Sequence, residues 1–148
     1  MKKFGFPLAR IMEFRRMQAR LEEVKLEGLY AELRALDARE AALTKQKAQS
    51  ENSVRSAKSV TGFDLELFAT FRDAMTLEQS RVERARIDCR KRVEAQLAIL
   101  TVKRREVKLL ERLKEQRFEK WEKDMFKEID SQADEAYLAK WNSDKGPS

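Results

Sequence analysis

Any chemistry in this chain has to come from carboxylates, cationic side chains and one thiol. The sequence carries 26 Asp and Glu, 32 Lys and Arg, the single cysteine Cys89 and no histidine. Without an imidazole, neither a Ser-His-Asp triad, a Cys-His pair nor a histidine-ligated metal site can be built. Gly5, Gly28, Gly62 and Gly146 stand far apart, so no glycine-rich loop exists to cradle a phosphate or turn around a dinucleotide. With 39% of residues charged, the carboxylates belong to solvated helix faces rather than to acid/base pairs. The expectation is a protein that is not an enzyme, with no catalytic or metal-binding residues and no cofactor. Cys89 is in step with Val82 and Ala85, which makes it a small core residue rather than a reactive thiol. A lone cysteine precludes an intrachain disulfide and suits a reducing compartment.

The elements that hold these side chains follow from where proline and glycine are missing. Between Pro7 and Pro147 there is no proline, and the glycines in the run are Gly28, Gly62 and, directly before its end, Gly146. Proline removes a helix donor and clashes with the preceding turn, and an interior glycine costs about 1 kcal/mol against alanine, so such a chain can be helical almost throughout. One break stands out, Ser50 to Asp64, where Ser, Asn, Thr and Gly replace Leu, Glu and Arg. The predicted fold is all-α: two long helices forming an antiparallel coiled-coil hairpin with a C-terminal helical overhang, one unit over residues 1–148. Helix one is expected over about 7–54, a turn over about 55–63 and helix two over about 64–142. High charge with low hydropathy would also suit a disordered chain, but the large apolar residues recur at fixed spacing.

In helix one, Phe14, Met17, Leu21 and Val24 are spaced 3, 4 and 3, and Leu26, Leu29, Leu33, Leu36 and Leu43 continue in a shifted register. A heptad discontinuity is therefore expected near Val24 to Leu26, beside Gly28. In helix two the apolar positions run Phe68, Phe71, Met75, Val82, Ala85, Cys89, Val93, Leu97 and Leu100, then Val107, Leu110 and Leu113. Thr61 or Asp64 is the candidate N-cap, with the acid three residues after the threonine in a loose capping box.

The two arms are unequal. A reversal near residues 57 to 60 sets position i of helix one opposite about position 115 to 120 minus i and leaves ~30 C-terminal residues without an intrachain partner. This overhang carries Phe118, Trp121, Met125, Phe126, Ile129, Tyr137 and Trp141. Phe118, Trp121, Met125 and Ile129 are expected to form a binding face, against the alternatives of a fold-back kink or self-association. At the other end Phe63, Phe68, Phe71 and Met75 exceed what an apex needs, which makes Phe68, Phe71 and Met75 candidates for a second contact site, apex packing being the alternative.

Net charge is +6, and the densest basic patch is Arg81, Arg84, Arg86, Arg90, Lys91 and Arg92. Nucleic acid is not expected as a partner, because Val82, Ala85 and Cys89 keep an apolar stripe through the patch that a groove-lying basic helix would not need. No apolar stretch approaches the ~20 residues of a membrane span, so direct membrane insertion is not expected. Residues 1–8 lack a signal-peptide core, and Glu13, Glu22 and Glu23 count against a basic targeting helix, which points to the cytosol.

Phe4-Gly5-Phe6-Pro7-Leu8-Ala9-Arg10-Ile11, leading into a helix with Arg15, Arg16 and Gln18, opens the chain. Leu110-Glu111-Arg112-Leu113-Lys114-Glu115-Gln116-Arg117 follows late in helix two, then Lys127-Glu128-Ile129-Asp130 and Asp134-Glu135-Ala136. With its length, basic charge and single break, the chain resembles the FliJ family of flagellar export proteins over nearly its whole length. The resemblance implies an antiparallel coiled coil similar to the rotor stalk of rotary ATPases, cytoplasmic and peripherally associated with the inner membrane type III export apparatus. It implies three partners: the export ATPase hexamer, whose assembly such a protein promotes, the cytoplasmic part of the membrane export gate, and export chaperones. The positions carried over as the ATPase-contact end are Phe6, Leu8, Ile11, Leu110, Leu113, Lys114, Arg117, Glu128 and Glu135. Hairpin geometry brings the entry segment to the 107–117 region. The alternatives are the equivalent coiled-coil stalk of a virulence type III secretion system and, from another class, a generic scaffold that dimerises through its overhang.

Overall fold

The computed structural model describes residues 2–145; Gly146 and Pro147, which close the proline-free run, lie outside them. The chain is an all-α helical hairpin in which two long helices pack against each other, α1 over Ala9–Ser56 (48 residues) and α2 over Gly62–Asp144 (83 residues). Both helices are longer toward the break than expected. Ser53 and Ser56 turn their hydroxyls onto the carbonyls of Gln49 (2.9 Å) and Asn52 (2.8 Å), so the serines ride in the last turns of α1 instead of ending it. At the far end of α1 the helix starts at Ala9 and not at Pro7, with the Ala9 amide donating to the Phe6 carbonyl at 3.1 Å.

α2 starts early because its cap is complete. The Asp64 amide donates to Thr61 Oγ1 and the Thr61 amide donates to Asp64 Oδ2, each at 3.1 Å, a reciprocal capping box with Thr61 as N-cap. The Thr61 amide, and secondly its hydroxyl, hold the Asp64 carboxyl below its ordinary value. A depressed carboxylate contributes above the unfolded pKa and is lost as pH falls through the folded one. The start of α2 is therefore expected to fray only below the ordinary aspartate range, about pH 3.9. In an NMR titration Thr61→Ala, which removes the hydroxyl and keeps the amide, should move Asp64 part of the way back toward that range.

Two compact units divide the chain: Met1–Ala19 with Lys103–Ser148, and Arg20–Val102. In the Arg20–Val102 unit, Leu26, Val93 and Leu100 form one core cluster with Leu29 against it, and Leu43, Met75 and Val82 form another. Cys89 is fully buried and donates its S–H to the Leu29 carbonyl at 3.5 Å. It should react with a thiol reagent only at the rate of unfolding, tracked by comparing labelling with and without denaturant. Polar residues complete the seam. Gln96 is buried and donates from Nε2 to the Glu22 carbonyl (3.1 Å) and to the Glu22 carboxylate. Arg92 donates to both carboxylate oxygens of Glu32, at 2.7 and 3.3 Å. Arg86 meets Asp37, Glu40 and Glu83.

One expected seam is overturned. Phe14, Met17, Leu21 and Val24 are 52% to 59% exposed, and the buried residues of α1 are Met12, Ala19, Leu26 and Leu43. Positions 12, 19, 26 and 33 are seven apart, as are 29, 36 and 43, so the heptad has no discontinuity at Val24 to Leu26 and Gly28 is an ordinary helical residue in open space. The apparent shift arises because the true seam contains Arg15, Glu22 and Glu40, which an apolar count passes over.

Candidate functional site

The aromatic cluster of the Met1–Ala19 and Lys103–Ser148 unit begins with a segment that is not helical. Residues 2–6 continue past the start of α1 along α2, and Phe4 packs edge-on against Phe118 (5.1 Å, 81°) and tilted against Trp121 (5.9 Å, 54°). Phe118 and Trp121 stack at 5.7 Å, and Trp121 Nε1 donates to the Lys2 carbonyl at 3.1 Å. Phe118 and Trp121 are therefore not a bare overhang face. The expectation ended the first arm at its helix, and the extended residues reach further along α2 than helical ones would. Met125 is half-buried, and every residue of α2 from 126 to 144 is exposed, with Phe126, Ile129, Tyr137 and Leu138 large and apolar.

On one side of this aromatic cluster the charge is basic, and on the other it is balanced. The Arg117 guanidinium lies 5.8 Å from the Phe6 ring centroid in a cation–π contact. Lys2, Lys3, Arg117 and Lys120 line one side with Trp121 and the single acid Asp124, around a cleft of about 370 Å³. On the other side Arg16, Glu111, Lys114 and Glu115 line a cleft of about 500 Å³ whose floor is Phe4 and Phe118. Arg15–Glu106 (3.1 Å) and Arg16–Glu111 (3.3 Å) tie the helices beside it.

Of the residues expected at this end, Phe6, Leu8, Leu110 and Leu113 are half-buried, whereas Lys114 and Arg117 are exposed at the clefts. Ile11 is exposed. Glu128 and Glu135 do not join them: they lie on α2 roughly 16 and 27 Å beyond Arg117 at 1.5 Å per residue. Sequence reasoning passed over Phe4, Lys2 and Lys120, although the Phe4 to Phe6 alternation of an extended strand was readable in the entry motif.

The apex candidates of the Arg20–Val102 unit also separate. Met75 is withdrawn as a contact residue, since it is buried against Leu43 and Val82, one heptad before Val82. Phe68 is half-buried and lines a cleft with Glu51, Val54, Arg55 and Arg72, while Phe63 and Phe71 are exposed, as are Leu65 and Leu67, which the sequence did not single out.

The mid-α2 basic patch is partly neutralised within the chain. Arg86 and Arg92 face the acids of α1, and Arg81 lies 3.9 Å from Glu78. The Glu32 hydrogen bonds raise Arg92 above its ordinary value. Among the described residues no group of three or more Cys, Asp or Glu is arranged to hold a metal ion, and no helix is long and apolar enough to cross a membrane. Compared with family models, curated proteins and solved structures, the chain has no match.

Proposed function

We propose that this protein is a non-enzymatic helical stalk of flagellar-type export, cytoplasmic and peripheral to the inner membrane export apparatus. It engages the export ATPase ring through the basic aromatic cluster at Phe4, Phe6, Arg117 and Trp121. The observation that carries the reading is this cluster, in which the two segments that resemble the FliJ family pack on each other under exposed cations. A rigid aromatic floor with Lys2, Lys3, Arg117 and Lys120 suits an acidic surface, where complementary charge speeds encounter and fixes orientation. Phe63 and Phe71 are the contact for the cytoplasmic part of the export gate, with export chaperones as further partners.

Added to a purified flagellar export ATPase, the protein should raise ATP hydrolysis and the hexamer fraction. Arg117→Glu with Lys120→Glu should reduce that stimulation at least tenfold, because two attractive contacts become repulsive. No stimulation by the unaltered protein at saturation would sink the reading. Phe63→Ala with Phe71→Ala should weaken gate binding while leaving stimulation intact.

A further inference from the structure

The exposed end of α2 carries a second, independent heptad. Phe126, Ile129, Ala133 and Ala136 are spaced 3, 4 and 3 and make one face, all within the exposed length 126–145. Phe126 and Ile129 are 53% and 49% exposed, so a contact worth making is left open at the one place where two large apolar residues are adjacent on this face.

With Phe126 and Ile129 as the first and fourth positions of the heptad, Lys123 and Asp130 both fall on the same flank, seven residues apart. Neither makes an ion pair within the chain among the described residues, in contrast to Arg15, Arg16, Arg86 and Arg92. The flank is thus a basic residue before the apolar pair and an acidic one after it, with opposite signs on either side of one centre.

We infer that a second copy of this chain docks here antiparallel, Phe126 and Ile129 of one copy packing on Ile129 and Phe126 of the other. In an antiparallel pair equivalent flanks face each other, so Lys123 of each copy meets Asp130 of its mate and the contact closes on itself with two-fold symmetry. A parallel pair would set Lys123 and Asp130 against Phe118 and Met125 and leave both charges uncompensated. The contact does not depend on the export reading, and it uses Phe126 and Ile129 rather than Trp121, which the chain's own Lys2 and Phe4 occupy.

The test is the solution mass of the full chain by light scattering from about 1 µM to about 1 mM, the range in which weak and moderate pairs separate. Mass should climb with concentration from 17.4 kDa toward twice that value. Ile129→Lys should weaken the pair at least tenfold, and Lys123→Glu or Asp130→Lys alone by about three- to tenfold. The double reversal Lys123→Glu with Asp130→Lys should return it to within about twofold, because the two-fold contact regains both ion pairs with signs exchanged. Far-UV circular dichroism should be unchanged in all four, since every altered side chain is exposed. A constant mass of 17.4 kDa at every concentration, a dimer indifferent to Ile129→Lys, or a double reversal as weak as the singles would each overturn the inference.

Discussion

Leu100→Ala is expected to lower the unfolding free energy by about 2–4 kcal/mol, and Leu43→Ala by a similar amount, whereas Leu21→Ala should cost less than about 0.5 kcal/mol. The three residues are chemically identical and all sit in long helices. Leu43 and Leu100 are each 1% exposed, and Leu21 is 57% exposed. Leu100 lies in the cluster with Leu26 and Val93, Leu43 in the cluster with Met75 and Val82. Each cluster holds few side chains, so removing three carbons takes away a large share of the local burial, and the neighbouring helix has little freedom to close the gap. Alanine's better helix propensity returns only a few tenths of a kcal/mol. Urea unfolding followed by far-UV circular dichroism measures the three variants under identical conditions. Equal losses at Leu21 and Leu100 would mean that the outward face of α1 is packed after all.

The contrast marks where sequence reading succeeded and where it stopped. The all-α hairpin was legible because it rests on local facts: no internal proline, one serine-rich break, and a Thr61-to-Asp64 cap that forms as a reciprocal pair. Those terms act within a few residues, and here they agree with the global fold. The seam of α1 was less legible. Phe14, Met17, Leu21 and Val24 make a cleaner apolar heptad than the true one, which includes Arg15, Glu22 and Glu40. A polar residue at a seam position is identifiable only from its mate across the interface, Glu106 for Arg15, Gln96 for Glu22 and Arg86 for Glu40, and a single strand of sequence does not pair them. The aromatic cluster was half legible for a related reason. Phe118 and Trp121 stood out by type, but their partner Phe4 lies in an extended segment whose reach differs from that of a helix.

Those polar seam positions predict a non-additive result at Arg86 and Glu40. Arg86→Leu alone is expected to cost about 1–2 kcal/mol, because Glu40 and Asp37 lose their cation while staying beside a new apolar side chain. Glu40→Leu alone should cost less, since Arg86 keeps Asp37 and Glu83. The double variant should recover most of the loss and reach or exceed the stability of the unaltered protein, as two leucines at facing seam positions bury apolar area without desolvating a charge. The Arg86 side chain is 17% exposed, and its Nε lies 2.8 Å from Asp37 Oδ1 without a hydrogen bond aligned to it, so part of its desolvation is uncompensated in the native state. Asp37 and Glu40 are 49% and 39% exposed, which keeps the single-variant cost below that of a fully buried pair. A coupling energy of about 1–2 kcal/mol from the denaturant midpoints is the expected signature. Additive losses would show that the guanidinium and the Glu40 carboxylate do not depend on each other. The gain in stability should come with a loss in register. An all-leucine layer is satisfied by a helix slipped along its partner, whereas Arg86 between Asp37 and Glu40 is satisfied at one alignment, and polar seam residues of this kind are the known means of fixing register. Amide exchange along α1 should therefore become less uniform in the double variant even as its unfolding midpoint rises.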